Sequence, residues 1–158
     1  FGPAVFHPPG PGRGRDIVGM SIDQEKFAGF ADAFAEAGIS IDDVPVVQAH
    51  PCDLEAAPLL LDSAPEATAV TAMADMQAIA VMNEARRRGR TVPNDLSVIG
   101  YNDIPEAALA SPPLTTVDGM ATEKGRLAAS IVFSGGAARQ ELLATKLVVR
   151  QSTAPPSR

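Results

Sequence analysis

The sequence predicts an α/β domain whose core is a doubly wound parallel sheet with flanking helices, and three observations predict it. Residues 69–71 and 96–101 are short, apolar, β-branched runs of the kind that form buried strands. Between them, Met76, Ile79, Ala80 and residues 82–85 recur at near-helical spacing. A turn marked by Pro93 and Asn94 separates this helix from the second strand. The unit is β-α-β. Such a crossover implies parallel strands with the functional loops at the strand ends.

Taken in order, residues 3–6 can form a short strand, and residues 7–15 (HPPGPGRGR) are a run of chain breakers. That run matches neither phosphate-cradling pattern, because no Lys-Ser/Thr follows its glycines and their spacing does not fit G-x-G-x-x-G. It reads as a loop. Ser21 with Gln24 makes a capping-box signature for a helix in which Phe27, Phe30 and Phe34 share one face, and Gly38 stops it. Those rings belong to the core. Gly29 costs about 1 kcal/mol relative to Ala in a helix interior, so its presence predicts close backbone packing. Residues 44–48 are the next strand, and residues 54–61 a short helix with Pro58 in or near its first turn.

Asp75 occupies the expected N-cap of the central helix. Arg86, Arg87 and Arg88 close its last turn, where the helix dipole favours cations, and Gly89 can take the left-handed conformation that ends it. The strand at 96–101 runs into the polar pair Asn102-Asp103, and Pro112-Pro113 breaks any helix before the strand at 114–117.

Composition narrows the function. A chain of 158 residues, 46% hydrophobic and 20% charged, has the length and balance of a globular domain with an ample core. No apolar run approaches the ~18 residues of a membrane span, and no signal-peptide pattern opens the chain, so a cytoplasmic location without membrane contact is expected. A net charge of −6 argues against nucleic-acid binding by these residues alone. Arg86 to Arg90, the basic cluster, reads as a solvated helix end. The single Cys52 cannot form an internal disulfide. His7 and His50 both adjoin prolines, without metal-ligand spacing. The nearest approach to a nucleophile elbow, Gly19-Met20-Ser21-Ile22-Asp23, fails because Asp23 replaces the second glycine. No catalytic residue, metal or cofactor is expected, and the chain is read as a non-enzyme.

Several motifs carry a resemblance. Residues 92–104 (VPNDLSVIGYNDI), 111–117 (SPPLTTV) and 147–153 (LVVRQST) occur in order and at matching intervals to those in the LacI/GalR family of bacterial transcriptional repressors. Residues 26–30 (KFAGF) are similar to that family's R-L-A-G-F, with Lys26 in the Arg position. The resemblance spans roughly residues 20–153 and about the second half of a family member. It implies the C-terminal lobe of a two-lobed, periplasmic-binding-protein-like sensor domain. Residues 1–117 and 140–153 then belong to this lobe, 118–139 to the N-terminal lobe, and 154–158 to a frayed tail. In the implied arrangement, residues 122–133 form a helix with Leu127, Ala128 and Ile131 inward, ended by Gly135-Gly136, and residues 142–149 return as a strand. A chain opening on a strand is expected to be a fragment, with the helix-turn-helix headpiece outside it.

The resemblance also implies a ligand site. Sugar- and purine-responsive members carry Arg where this chain has Lys26, an aromatic near His50-Pro51, often Asn at Ala74 before the capping Asp75, and Asp at Asn102. Lys26, His50, Asp75 and Asn102 are therefore the candidate ligand-binding residues. Lys supplies a point charge in place of the planar guanidinium fork, and Asn102 offers a donor and an acceptor without net charge. The implied function is to sense a small molecule, a sugar or related metabolite, within a homodimer that reaches operator DNA through the headpiece. A periplasmic-type sugar-binding protein of a transport system is the alternative, and an α/β enzyme is a third, disfavoured reading. Fold class alone does not separate them.

Overall fold

Strands buried on both faces of a parallel sheet must be apolar nearly throughout, and helices must cover both faces. The computed structural model, which describes residues 4–7, 21–49, 55–135 and 139–155, has such buried apolar positions at the centre of its sheet, at Val70, Ala72 and Val98, whereas the last strand, Lys146–Val148, is largely exposed. In chain order it contains β1 (Ala4–His7), α1 (Ser21–Glu36), a 3-10 turn (Ile41–Asp43), β2 (Val46–Gln48), α2 (Ala56–Ser63) and β3 (Ala69–Ala72). There follow α3 (Asp75–Arg87), β4 (Ser97–Tyr101), α4 (Pro105–Leu109), β5 (Thr115–Asp118), α5 (Ala121–Phe133) and β6 (Lys146–Val148). The six strands lie in the order β2-β1-β3-β4-β5-β6. The first five are parallel, and β6 runs antiparallel to β5, with Thr116 opposite Val148 and Asp118 opposite Lys146.

The main core lies between β3, β4, α2 and α3, where Leu60, Leu61, Val70, Val81, Leu96, Val98 and Leu114 are all essentially inaccessible. Burying each such side chain stabilises the fold by about 1.5–3 kcal/mol. On α1, Phe27 packs with Val44, and Phe30, Phe34, Ile39, Ile41 and Val46 close around them. The Phe face read from the sequence is thus core. Gly29 is different: it is exposed, and a Cβ there would meet nothing within 4 Å. Helical Gly on this face therefore reflects no close approach, contrary to the expectation. The Ser21 side chain lies outside the described residues, as do residues 8–20 and Cys52.

Both long helices of the first half end alike. Gly38 (φ 74°) and Gly89 (φ 78°) turn left-handed, and the following amides reach back, Ile39 N–H to Phe34 O at 2.8 Å and Arg90 N–H to Ala85 O at 2.9 Å. These bonds satisfy carbonyls the helix would otherwise leave open. The arginines beyond Ala85 do more than complement a dipole. Arg88 donates to the Pro58 carbonyl and pairs with Asp62 at 2.6 Å, and Arg90 donates to the Ala67 and Asp95 carbonyls. Arg86 reaches the Ser111 carbonyl. The basic cluster fastens α3 to four neighbouring segments.

The C-terminal part departs from expectation at its last strand and its tail, while its helix keeps the expected bounds to within one residue. The last strand covers three residues instead of eight: residues 142–145 precede it without strand pairing, and beyond Val148 the chain bonds through both main chain and side chains. Ser152 is fully buried, accepting from Thr115 N–H at 2.8 Å and donating to Val98 O at 2.5 Å. Ala154, expected in the frayed tail, exchanges two 3.0 Å hydrogen bonds with the Ser97 hydroxyl. Finally, α5 buries none of its residues: Leu127 and Ile131 are half-covered, while Phe133 is 88% exposed.

At the end of α3, Glu84 accepts from Arg87 (2.7 and 2.6 Å) and from Arg88 (2.6 Å). These bonds, Arg87's first and Arg88's second, hold its carboxyl at about 2, below the ordinary 4.5. A carboxyl depressed by folding contributes stability that is complete above its unfolded pKa and lost as pH falls towards the folded one. Chemical denaturation between about pH 6 and pH 2.5 should show the stability gap between wild type and Glu84→Gln narrowing as pH falls, most of it below about pH 4.5. A gap independent of pH would show that these pairs contribute nothing through charge.

Candidate functional site

In an open parallel sheet the loops leaving the C-terminal ends of the strands gather along one edge, and ligands bind there. Here that edge carries the β3–α3 and β4–α4 connections and the entry into α5. The sequence determines its shape through one buried carboxyl. Asp75 is 1% exposed, and it opens α3 as its first helical residue. Ala74 takes the N-cap position, with extended backbone and no side-chain cap. The expected capping role of Asp75 is therefore replaced by a tertiary one. Its Oδ1 accepts from the Thr116 hydroxyl at 2.5 Å, and its Oδ2 from the Ile104 N–H at 2.9 Å. One side chain ties α3 to β5 and to the loop after β4.

The tie needs space beside it. A Cβ on Gly100 would overlap Asp75 Oδ1 and lie 2.9 Å from Leu114 Cδ2. Only glycine lets β4 pass so close to the carboxyl. Directly after β4, Asn102 (φ 115°) and Asp103 (φ 56°) both have positive φ, a conformation that non-glycine residues adopt at a cost. Asn102 N–H donates to Val117 O at 2.9 Å, and the Asp103 carboxylate pairs with Arg150 at 2.7 Å. The loop is thereby held from three sides.

Above it, the Lys26 ammonium from α1 sits 4.0 Å from the centroid of the Tyr101 ring. Such a cation over an aromatic face is worth about 0.5–2 kcal/mol, depending on desolvation. Asn102, Asp103, Asp118, Met120, Thr122 and Glu123 line an adjoining groove of about 330 Å³. Within it the Asp118 carboxylate accepts from Met120 N–H at 2.7 Å, fixing Met120 in a left-handed conformation (φ 58°) at the start of α5.

Of the four residues predicted to bind ligand, two share this edge at its surface: Lys26 stands over Tyr101, and exposed Asn102 follows that ring in the chain. Asp75 lies beneath them with both carboxyl oxygens engaged by protein donors. His50 lies outside the described residues. Sequence reasoning missed Tyr101, Thr116 and the Asp103–Arg150 pair. The ring beside the loop was legible as the last residue of a strand; the other partners are 41 and 47 residues apart and leave no local pattern. Among the described residues, no group of three or more His, Cys, Asp or Glu is placed to hold a metal. No described helix is long and apolar enough to cross a membrane.

Residues 17–153 match the family described as periplasmic binding protein-like domains, and the chain belongs to that family. Its relatives include LacI-type transcriptional regulators, as the motifs implied, which favours that reading over a transport protein. The chain is 39% identical over 142 residues to the HTH-type transcriptional regulator DegA of Bacillus subtilis, covering 84% of this chain and 42% of that protein. Among solved structures, a complex of the transcriptional regulator CelR with cellobiose superposes with a TM-score of 0.71 at 31% identity, over 95% of this chain and 46% of the other. A LacI family regulator from Enterococcus faecium with bound ribose gives 0.80 at 26% identity, over 98% of this chain and 57% of the other. The chain spans less than half the length of the curated relatives it matches.

Replacing Gly100 by Ala should test the packing beneath the edge. A methyl group forced against Asp75 and Leu114 is expected to destabilise by about 1–3 kcal/mol, read as a lower denaturation midpoint with unchanged m-value. Unaltered stability would mean that the Asp75 carboxyl does not sit against β4.

Proposed function

We propose that this chain is the effector-binding part of a LacI-type transcriptional regulator, with its small-molecule ligand seated along the edge that carries Lys26, Tyr101 and Asn102. The observation that carries the reading is the family match over residues 17–153 together with a positive-φ Asn102 presented at the C-terminal end of β4. In an α/β sheet that is where ligands bind. The chemistry suits a polyhydroxylated metabolite. Lys26 supplies a cationic donor, Asn102 a donor and an acceptor, Thr122 a hydroxyl, and Glu123 an acceptor at the groove. The cellobiose and ribose bound by two structural neighbours support the sugar class. His50 completes the set in this proposal, and Asp75 acts from below by holding the loop.

In the same proposal, residues 118–139 belong to a second lobe. The exposure of Phe133 and Val132 on α5 supports this, since a helix apolar on one face is normally covered. Closure of two lobes on a ligand shifts a homodimer between DNA-competent and DNA-incompetent arrangements. DNA contact belongs to a helix-turn-helix headpiece: a net charge of −6 leaves these residues unsuited to a phosphate backbone. The setting of such a regulator is the cytoplasm.

Calorimetric titration with ribose and with cellobiose tests the reading. For the sugar that binds, Lys26→Ala and Asn102→Gly should each weaken affinity by about 1–3 kcal/mol, with Asn102→Gly leaving thermal unfolding nearly unchanged and Lys26→Ala lowering it only by the loss of its contact with Tyr101. Glycine is chosen at 102 because it accepts a φ of 115°. Wild-type protein that binds neither sugar, or variants that bind as tightly as wild type, would overturn it.

A further inference from the structure

The segment after β6 touches the ligand edge at one point. Arg150 extends its guanidinium in two directions: one nitrogen donates to Leu114 O at 2.8 Å, and the other to the Asp103 carboxylate at 2.7 Å. Its own N–H is fixed separately by the Thr115 hydroxyl at 3.0 Å. Both charged side chains are about four-fifths buried, at 19% and 22% exposure. A pair this far from solvent is little screened, and its geometry is specific because arginine's planar fork serves two acceptors at once.

What the pair holds is costly to hold. Asn102 and Asp103 are consecutive non-glycine residues at φ 115° and 56°. Strained backbone of this kind persists only where its surroundings over-determine it. Asp75 secures the far end of the loop through Ile104 N–H, and Val117 O secures the near end through Asn102 N–H. Arg150 secures the middle. It arrives from a different part of the chain, two residues beyond the short strand Lys146–Val148 that pairs with β5.

We propose that Arg150 is a positioning residue for the ligand edge: through Asp103 it fixes the left-handed Asn102-Asp103 pair, and so couples the strand returning beside β5 to the side chain of Asn102. A shift of β6 relative to β5 then changes how Asn102 is presented. The proposal rests on the effector reading only in taking Asn102 as a ligand contact; the local geometry stands apart from it.

Amide hydrogen exchange measured residue by residue on the full chain, without sugar, tests the positioning. Arg150→Met should speed exchange at Asn102 and Ile104 by about tenfold or more, while Val98, Gly100 and Thr116 stay within about twofold of wild type. Asp103→Asn, which keeps a residue tolerant of positive φ but removes the ion pair, should do the same; it decides the matter if Arg150→Met fails to fold. Combining the two should add nothing further, because one interaction has been removed twice. Unchanged exchange at 102 and 104 in both variants, or an increase matched at Val98 and Thr116, would overturn the proposal and reduce Arg150 to a general structural residue. Titration of the same variants with ribose and cellobiose separates the two readings. If no sugar binds wild type, the effector assignment fails while the exchange data still decide the role of Arg150.

Discussion

The Asp75 carboxyl is the interaction on which the rest of the architecture depends. It is almost completely buried, and each of its oxygens accepts a bond from a different element, Thr116 on β5 and Ile104 at the start of α4. A buried acceptor is tolerable only when it is satisfied, and a buried donor likewise. The arrangement is therefore mutually obligatory: removing the carboxyl leaves a buried hydroxyl and an amide without acceptors. Its position also dictates glycine at 100 and places the β4–α4 loop where Asn102 projects from the sheet edge.

Around this centre, arginines act as ties between backbone segments. Arg86, Arg90 and Arg150 each donate to main-chain carbonyls of loops remote in sequence, and Arg88 to the Pro58 carbonyl in α2. Loops have no ladder to satisfy their carbonyls, and a planar group with five donors can serve several at once. The Glu84 pairs orient two of the arginines that close α3, which explains why a cluster of like charge survives at one helix end. At the other extreme, α5 buries none of its residues. Its Val132 and Phe133 are both exposed.

What the sequence disclosed follows the range of each signal. Strands β3 and β4, the Phe27–Phe34 face and the glycine stops at 38 and 89 are local patterns, and each is found where the residues put it. The antiparallel β6 begins four residues later than its apolar run suggested, and the bond from Thr115 N–H to the Ser152 hydroxyl beyond it is one that no periodicity records. Asp75 looked like an N-cap because it stands before an apolar helical run; its observed partners lie 29 and 41 residues away. Gly29 misled for a simpler reason: a helical glycine signals close approach only when something approaches. At the candidate site, Lys26 and Asn102 were legible through family motifs, and the structure brings them to one edge. The pairing of Asp103 with Arg150 was not, because its spacing of 47 residues is set by the fold alone.

The central claim is that the Asp75 carboxyl binds α3 to β5 through Thr116. A double-mutant cycle with Asp75→Ala, Thr116→Val and their combination, read by denaturant unfolding near neutral pH, measures it most directly. The account predicts a coupling energy of about 1–3 kcal/mol, with the double variant less destabilised than the sum of the single ones. Additive effects within about 0.3–0.5 kcal/mol would contradict it, since two groups that share no interaction leave no coupling behind.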